Sequence, residues 1–358
     1  MSHCHALREP IAISCNCSIV VLMSELPVIR IVITAFNSGA YLGECLQAVA
    51  AQTYRHFEVI IVDNGGVLTE DGYHDINLPD ERFIQDRNPE NTGFSGGFER
   101  GTEGATTKWL MSLNPDAILD GSCLETLLDA AKTHGDPDML SPRLFADCNH
   151  ETLDGLGDSL SILGIAWRNA HLKSANDVNM PDVAEVFSPT GAAALYLRES
   201  YEASGGINPL FFCYLEDVDL ALRMRAYGCR CLLVNDATGF HEGGHSTKVI
   251  AGFAIQYSAR NTPLLIVTSS PILLLFPLLV LHVAGQAWLQ WRNRGSDVAR
   301  FRAKGYRAAL PQLFPAFLGR LNRKPYPLGA SWRILRRLDW TLSNLRTQNL
   351  KYWPISKS

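Results

Sequence analysis

Carboxylates stand at several points of this sequence where their setting suits chemistry. Asp63 closes an apolar run, residues 57–62 (FEVIIV), just ahead of Asn64-Gly65-Gly66. A carboxylate there can accept the imide N–H of a uracil or thymine, although a turn aspartate before two glycines is the competing reading. Asn114-Pro115-Asp116 follows a second apolar run, residues 108–113 (KWLMSL). It offers one oxygen ligand to a hard divalent cation on a diphosphate, or is an ordinary Asn-Pro-Asp turn. Glu216-Asp217-Val218-Asp219 opens a helix that has Arg223 and Arg225 towards its end and Gly228 beyond it. The helix macrodipole accounts for one or two of those acids more comfortably than for three. His241-Glu242-Gly243-Gly244-His245 supplies a histidine to complete a metal site, or a plain loop histidine. Residues 91–97 (NTGFSGG) and 187–198 (FSPTGAAALYLR) are small enough for a diphosphate or sugar to approach the backbone.

The elements that must position these residues are legible by period. Residues 28–34 read as a β-strand, and Tyr41, Leu42, Cys45, Leu46 and Val49 recur at helical spacing after Ser38, an expected N-cap. Residues 57–62, 82–85 and 108–113 are further strands. A helix follows with Ser122 and Glu125 as a capping box and Leu124, Leu127, Leu128 and Ala131 inward. This order predicts an α/β fold with a doubly wound, mostly parallel sheet. Ligands then bind beyond the carboxyl ends of the strands, where residues 34–37, 63–64 and 114–116 fall. The first strand is followed by neither a P-loop nor a G-x-G-x-x-G fingerprint.

The chain has 358 residues, 47% of them apolar and 19% charged, which excludes intrinsic disorder. Its nine cysteines are scattered and odd in number, so they form no disulfide framework, and the C-x-C at Cys229 and Cys231 reads as core. Net charge is −4, but residues 285–358 hold 15 Lys and Arg against Asp297 and Asp339 alone. The rest is strongly acidic. Immediately before that basic tail, residues 261–291 contain no Asp, Glu, Lys or Arg. Residues 264–284 are long enough to cross a bilayer, and Pro271 and Pro277 are expected to break them. Basic side chains interleaved with Trp288, Trp291, Phe301, Tyr306, Phe314 and Phe317 suit a helix at headgroup level. A membrane surface engaging residues 261–324 is therefore expected; no nucleic-acid module is recognisable. The expected divisions are a loose extension at 1–26, a catalytic body at 27–255 and a membrane-associating helical region at 256–358.

Six ordered blocks between residues 28 and 250 carry a resemblance: TAFNSGAYLGECLQAVAAQTYRHFEVIIVDN, NTGFSGGFERG, NPDAIL, FSPTGAAALYLR, FFCYLEDVDLALRMRAYG and HEGGHST. Together they resemble family-2 inverting glycosyltransferases of the GT-A fold, and more narrowly bacterial rhamnosyltransferase-like members that build cell-surface polysaccharide. The resemblance implies that Asp63 binds a pyrimidine base and that Thr34, Phe36 and Asn37 line the nucleotide pocket with Asn64. Asn91, Gly93, Phe94 and Asn114 would lie along the diphosphate-sugar. Asp116 takes the place of the last Asp of the family's DxD motif, with Asn114 replacing the first, and His241 matches the late metal-binding histidine better than His245. A divalent cation, Mn²⁺ or Mg²⁺, is implied, with one carboxylate fewer to hold it. Asp217 would be the catalytic base, and Glu216 and Gly191 would face the acceptor.

The implied reaction is transfer of a sugar, rhamnose from a dTDP donor by resemblance, to a saccharide acceptor on a lipid. Nucleotide sugars are cytosolic and the basic tail prefers the same side, so the tail is expected in the membrane plane or re-entrant at the cytoplasmic face. A sugar nucleotidyltransferase lacks support because no early Gly- and Lys-rich loop is present. A non-catalytic scaffold is disfavoured by the joint presence of Asp116, Asp217 and His241.

Overall fold

The computed structural model describes residues 27–65, 68–69, 72–73, 76–243, 251–341, 347–353 and 355. The expected extension at 1–26 and His245 lie outside the described residues. The chain opens with β1 (Ile29–Ala35), α1 (Gly39–Ala50), β2 (Phe57–Asn64), a two-residue pair β3 (Leu68–Thr69) and β4 (Gly72–Tyr73), and β5 (Phe83–Asn88). It continues through α2 (Gly93–Thr102), β6 (Trp109–Leu113), β7 (Ala117–Leu119), α3 (Cys123–Thr133) and β8 (Met139–Phe145). Short strands β9 (Leu153–Gly155), β10 (Asp158–Leu160), β11 (Ala166–Arg168) and β12 (Val183–Glu185) lead to β13 (Ala193–Leu197) and α4 (Arg198–Ala203). The body closes with α5 (Glu216–Tyr227) and β14 (Cys231–His241).

The central sheet runs β12-β14-β8-β13-β6-β1-β2-β5, with β7 on β14 and β9 on β8. β5, β2, β1 and β6 are mutually parallel, β14 is parallel to β8, and β13 and β12 run against their neighbours. The mostly parallel α/β sheet expected from the strand–helix order is thus present, with the antiparallel β13 inserted beside β6. Strand β1 reads as a continuous apolar run because helices cover both its faces. Inward residues of α3 (Leu124, Leu127, Leu128, Ala131) are buried as the spacing predicted.

Two expected caps are absent. Ser38 accepts from the Phe36 amide at 3.2 Å instead of capping α1. The Ser122 side chain makes no cap bond, and Glu125 is drawn away by the Thr53 hydroxyl at 2.7 Å. The strand expected at 82–85 forms three residues further, to Asn88. Residues 93–97 are not a glycine loop but the first turns of α2. Gly97 and Gly101 are required there because an added Cβ would collide with Thr34 and Val32 of β1.

Among the described residues four helices follow: α6 (Phe253–Ser269), α7 (Ile272–Arg292), α8 (Asp297–Leu321) and α9 (Ala330–Leu335). The boundary expected at 255/256 falls inside α6. That helix is seated on the body, with Leu264, Leu265, Ile266 and Val267 buried in one cluster with Phe211, Val218 and Leu222. Each such buried aliphatic side chain contributes about 1.5–3 kcal/mol. The Thr268 hydroxyl donates to Asp219 at 3.0 Å, and Ser269 also bonds that carboxylate. The apolar segment breaks at Pro271 alone, where Ser270 is held extended (ψ 139°) by the proline after it. Pro277 is accommodated inside α7, contrary to the expected break. It gives up one backbone bond, to the carbonyl of exposed Leu273, on the outer side of the helix.

Candidate active site

The expected polar clusters meet at the carboxyl edge of the parallel strands. Parallel registers place Ala35, Asp63 and Arg87 side by side at the ends of β1, β2 and β5. Asp63 is fully buried and accepts from Gln85 Nε2 at 3.5 Å. Thr34 is buried beneath α2, while Asn37 stands exposed in the loop after β1 with a left-handed backbone (φ 49°), and Phe36 is half-buried. The Asn64 carboxamide is engaged within the protein. Its amide donates to Asn91 Oδ1 (3.2 Å) and Gly93 O (2.9 Å), and its oxygen accepts from Asn88 Nδ2 and the Thr92 amide. A carboxamide with both hydrogens and its oxygen engaged holds a loop.

That loop, residues 88–93, is in turn fitted to the segment around Phe212. Gly93 has φ 73°, and an added Cβ would collide with the Phe212 carbonyl. The same carbonyl accepts from the Ser95 amide at 3.0 Å. Phe94 stacks in parallel on Phe98 with centroids 6.2 Å apart, so its ring packs against the core instead of lying along a sugar.

The second half of the site is a chain of charges. Asp116 Oδ1 lies 3.3 Å from His241 Nε2, and His241 Nδ1 lies 2.9 Å from Asp154 Oδ2. Asn114 Nδ2 is 3.2 Å from His241 Nε2. Arg168 Nη1 donates to both oxygens of Asp154, at 2.8 and 2.7 Å. Burial opposes charge on His241, but the hydrogen bonds of Asp116 and Asp154 outweigh it and lift the imidazole above its ordinary value. Burial also works to raise Asp154, yet His241 and Arg168 hold it below the usual carboxylate range. Cys229 and Cys231 lie half-buried and buried, with burial raising both thiols, as core residues.

Asp217 sits at the head of α5. Its Oδ2 accepts from the Gly191 amide at 2.8 Å and its Oδ1 from the Val218 amide at 2.7 Å. Gly191 is buried and must be small, since a Cβ would stand 3.1 Å from Asp217 Oδ2. Burial raises the Asp217 carboxyl, with the backbone donors and Arg168 pulling the other way. Glu216 is buried, its Oε2 has no hydrogen-bond partner among the described residues, and burial followed by Asp217 pushes it well above the usual range. Asp158 hydrogen-bonds Asp217 and is likewise pushed well up, by burial first and then by that neighbour's charge.

Asp154, Asp158 and Arg168 were not found from the sequence. They belong to the short strands β9, β10 and β11, where no period or motif marks them.

The donor set at Asp116 fits a divalent cation. Asp154 accepts the Nδ1–H of His241, which leaves Nε2 as the ligand atom and is the usual carboxylate–histidine support of a metal site. The Asp116–His241 separation of 3.3 Å is near the roughly 3 Å between adjacent ligands on one such ion. Among the described residues no group of three or more His, Cys, Asp or Glu is placed to hold a metal, so remaining positions would fall to water and phosphate oxygens.

A mostly parallel sheet with acids and a histidine gathered at its carboxyl edge is the architecture of GT-A glycosyltransferases. The crystal structure of GalNAc-T7 with UDP, GalNAc and Mn²⁺ shares that fold, with a TM-score of 0.51 at 12% identity, over 85% of this chain and 59% of that one. The Glycosyl transferase family 2 model matches residues 30–204, which supports membership of that family. It is similar to the N-acetylglucosaminyl-diphospho-decaprenol L-rhamnosyltransferase of Mycobacterium tuberculosis, 24% identical over 241 residues, covering 62% of this chain and 78% of the relative. A PGL/p-HBAD biosynthesis glycosyltransferase of Mycobacterium bovis is 34% identical over 95 residues, 26% of this chain and 37% of that protein. The protein is a glycosyltransferase.

Proposed function

We propose that this enzyme transfers a hexosyl group, rhamnose from a dTDP donor, with inversion to a lipid-linked saccharide at the cytoplasmic face of a membrane. The observation that carries the reading is Asp217, held by two backbone amides at the head of α5 and facing the charge of Arg168, which also pairs with the Asp154 that supports His241. The rhamnosyltransferase relative, named for a lipid diphosphate acceptor, supports the choice of donor and acceptor class.

In this reading the acceptor hydroxyl attacks the anomeric carbon in line with the departing nucleoside diphosphate. The new C–O bond forms as the bond to the diphosphate breaks. Asp217 takes the hydroxyl proton. Each of its oxygens spends one lone pair on a backbone amide, Asp158 engages the carboxyl once more, and one lone pair remains for that proton. Its raised affinity for protons brings the base closer to the operating pH. Asp63 receives the pyrimidine, and residues 91–93 frame the diphosphate-sugar. A divalent cation held by Asp116 and His241 would supply Lewis-acid stabilisation of charge on the leaving diphosphate.

Calorimetric titration of the protein with dTDP and with UDP, with and without Mn²⁺, is the direct test. Manganese-dependent binding with preference for dTDP is expected; binding of neither nucleotide under either condition overturns the assignment.

A further inference from the structure

We propose that the cleft between the end of α7 and the first turns of α8 is a binding site for the phosphates of anionic phospholipids, set at headgroup depth by the outer face of α7. The proposal rests on the membrane association above but concerns a separate site. The cleft has a volume of about 530 Å³ and is lined by Gln290, Arg294, Arg300, Ala303, Lys304 and Arg307 among others. None of its lining residues is acidic; Asp297, one turn before, pairs with Arg300. Arg300, Lys304 and Arg307 recur at helical spacing, so they share one face of α8.

Two observations identify the occupant as a bilayer. First, α7 is pinned along one stripe, Leu274, Leu278 and His282, with His282 Nδ1 on the Leu163 carbonyl at 3.0 Å. The opposite stripe, Leu273, Phe276, Val280, Val283 and Trp291, is exposed, Leu273 and Phe276 by more than three quarters. The helix is long and apolar enough to cross a membrane, yet it is anchored lengthwise on the body. A helix so held lies in the interface plane with one apolar face down. Second, Arg292 lies over Trp288 at 5.4 Å and Arg294 over Trp291 at 5.6 Å. Indole rings under cations, at the junction of an apolar helix and a basic one, match the layering of a headgroup region. The face bearing the three cations continues down α8 as exposed Leu310, Phe314, Leu318 and Leu321. The acidic remainder of the chain is repelled by the same surface, which fixes the orientation.

Co-sedimentation of the full-length protein with vesicles of phosphatidylcholine, and with the same vesicles containing phosphatidylglycerol, tests the site without donor or acceptor. The anionic vesicles should bind more tightly, by a margin that shrinks with added salt. The combined variant R294Q/R300Q/K304Q/R307Q, altered only at exposed positions, should lose on the order of 10²–10³-fold on anionic vesicles at low salt. It should keep the wild-type affinity for phosphatidylcholine and the wild-type melting temperature. L273D/F276D should lose binding to both vesicles. Equal binding of wild type to both compositions, or an unaffected quadruple variant, overturns the phosphate site while leaving the membrane reading intact. Failure of the wild type to bind either vesicle overturns both. Phosphatidylcholine vesicles doped with a prenyl diphosphate to matched surface charge complete the test. Recruitment comparable to phosphatidylglycerol supports a phospholipid site, and recruitment by the prenyl diphosphate alone overturns it.

Discussion

In the proposed mechanism the chemistry turns on Asp217. Asp217→Asn keeps the size and one of the two backbone contacts but cannot take a proton, so transfer should fall by about 10²–10⁴-fold with nucleotide affinity unchanged; near-normal turnover would remove Asp217 from the role. The wild-type kcat should also decline as pH falls through the raised Asp217 value, an acid limb lying above the range of a free aspartate, about 3.9. A pH–rate profile flat to about pH 4 would contradict it. Asp158 is a stability cost of the same arrangement. A carboxyl raised in the folded state stabilises the fold only below its unfolded value and loses that contribution as pH rises through the folded one. Asp158→Asn should therefore gain about 1 kcal/mol near neutrality and nothing in acid, which thermal melts at the two pH values would read. Asp63, Asp116, Asp217 and His241 were visible in the sequence because each stands at or just beyond a strand end or in the first turn of a helix. Asp154, Asp158 and Arg168 were not, because only tertiary folding of three-residue strands brings them to the base and the histidine.

At the scale of elements, the strand–helix order foretold the sheet because continuous apolar runs have few ways to be covered. The details that escaped are those where a side chain found a better partner than the local one. Glu125 serves Thr53 instead of its own helix start, and Asn64 serves the 88–93 loop instead of a ligand. The turn before α5 shows the same competition. Phe212, Tyr214 and Leu215 all have positive φ (63°, 67° and 70°), a strained run for residues with a Cβ. Asn261 of α6 offsets that strain, its Nδ2 lying 2.9, 2.8 and 2.7 Å from the carbonyl oxygens of Phe211, Cys213 and Tyr214. Arg260 adds Leu210 O at 2.9 Å. Removing the amide leaves buried carbonyls unsatisfied at about 1–3 kcal/mol apiece. Asn261→Ala should lower kcat by tenfold or more, at about 1.4 kcal/mol per decade, while nucleotide binding at Asp63 holds. Equal losses in both would mark a merely structural contact.

For the whole molecule, the division into an acidic body and a basic tail is true of charge but not of packing. α6 is as much a part of the core as α5, since Leu264 and Leu265 are fully buried against it. A chain stopped after residue 252 should aggregate or melt well below the full chain, because Phe211, Val218 and Leu222 would lose their cover; a soluble, cooperatively melting fragment would refute this. The Asn261 clamp also has a consequence in time. Synthesis runs from the amino end, and domains tend to fold as they emerge. A nascent chain can assemble the sheet before residue 261 exists, but the carbonyls of Phe211, Cys213 and Tyr214 then lack the amide that gathers them. On the proposed mechanism, catalytic competence thus waits for the stretch of chain that leads into the apolar helix. The nascent polypeptide would have no working base to spend nucleotide sugar on before that helix is made.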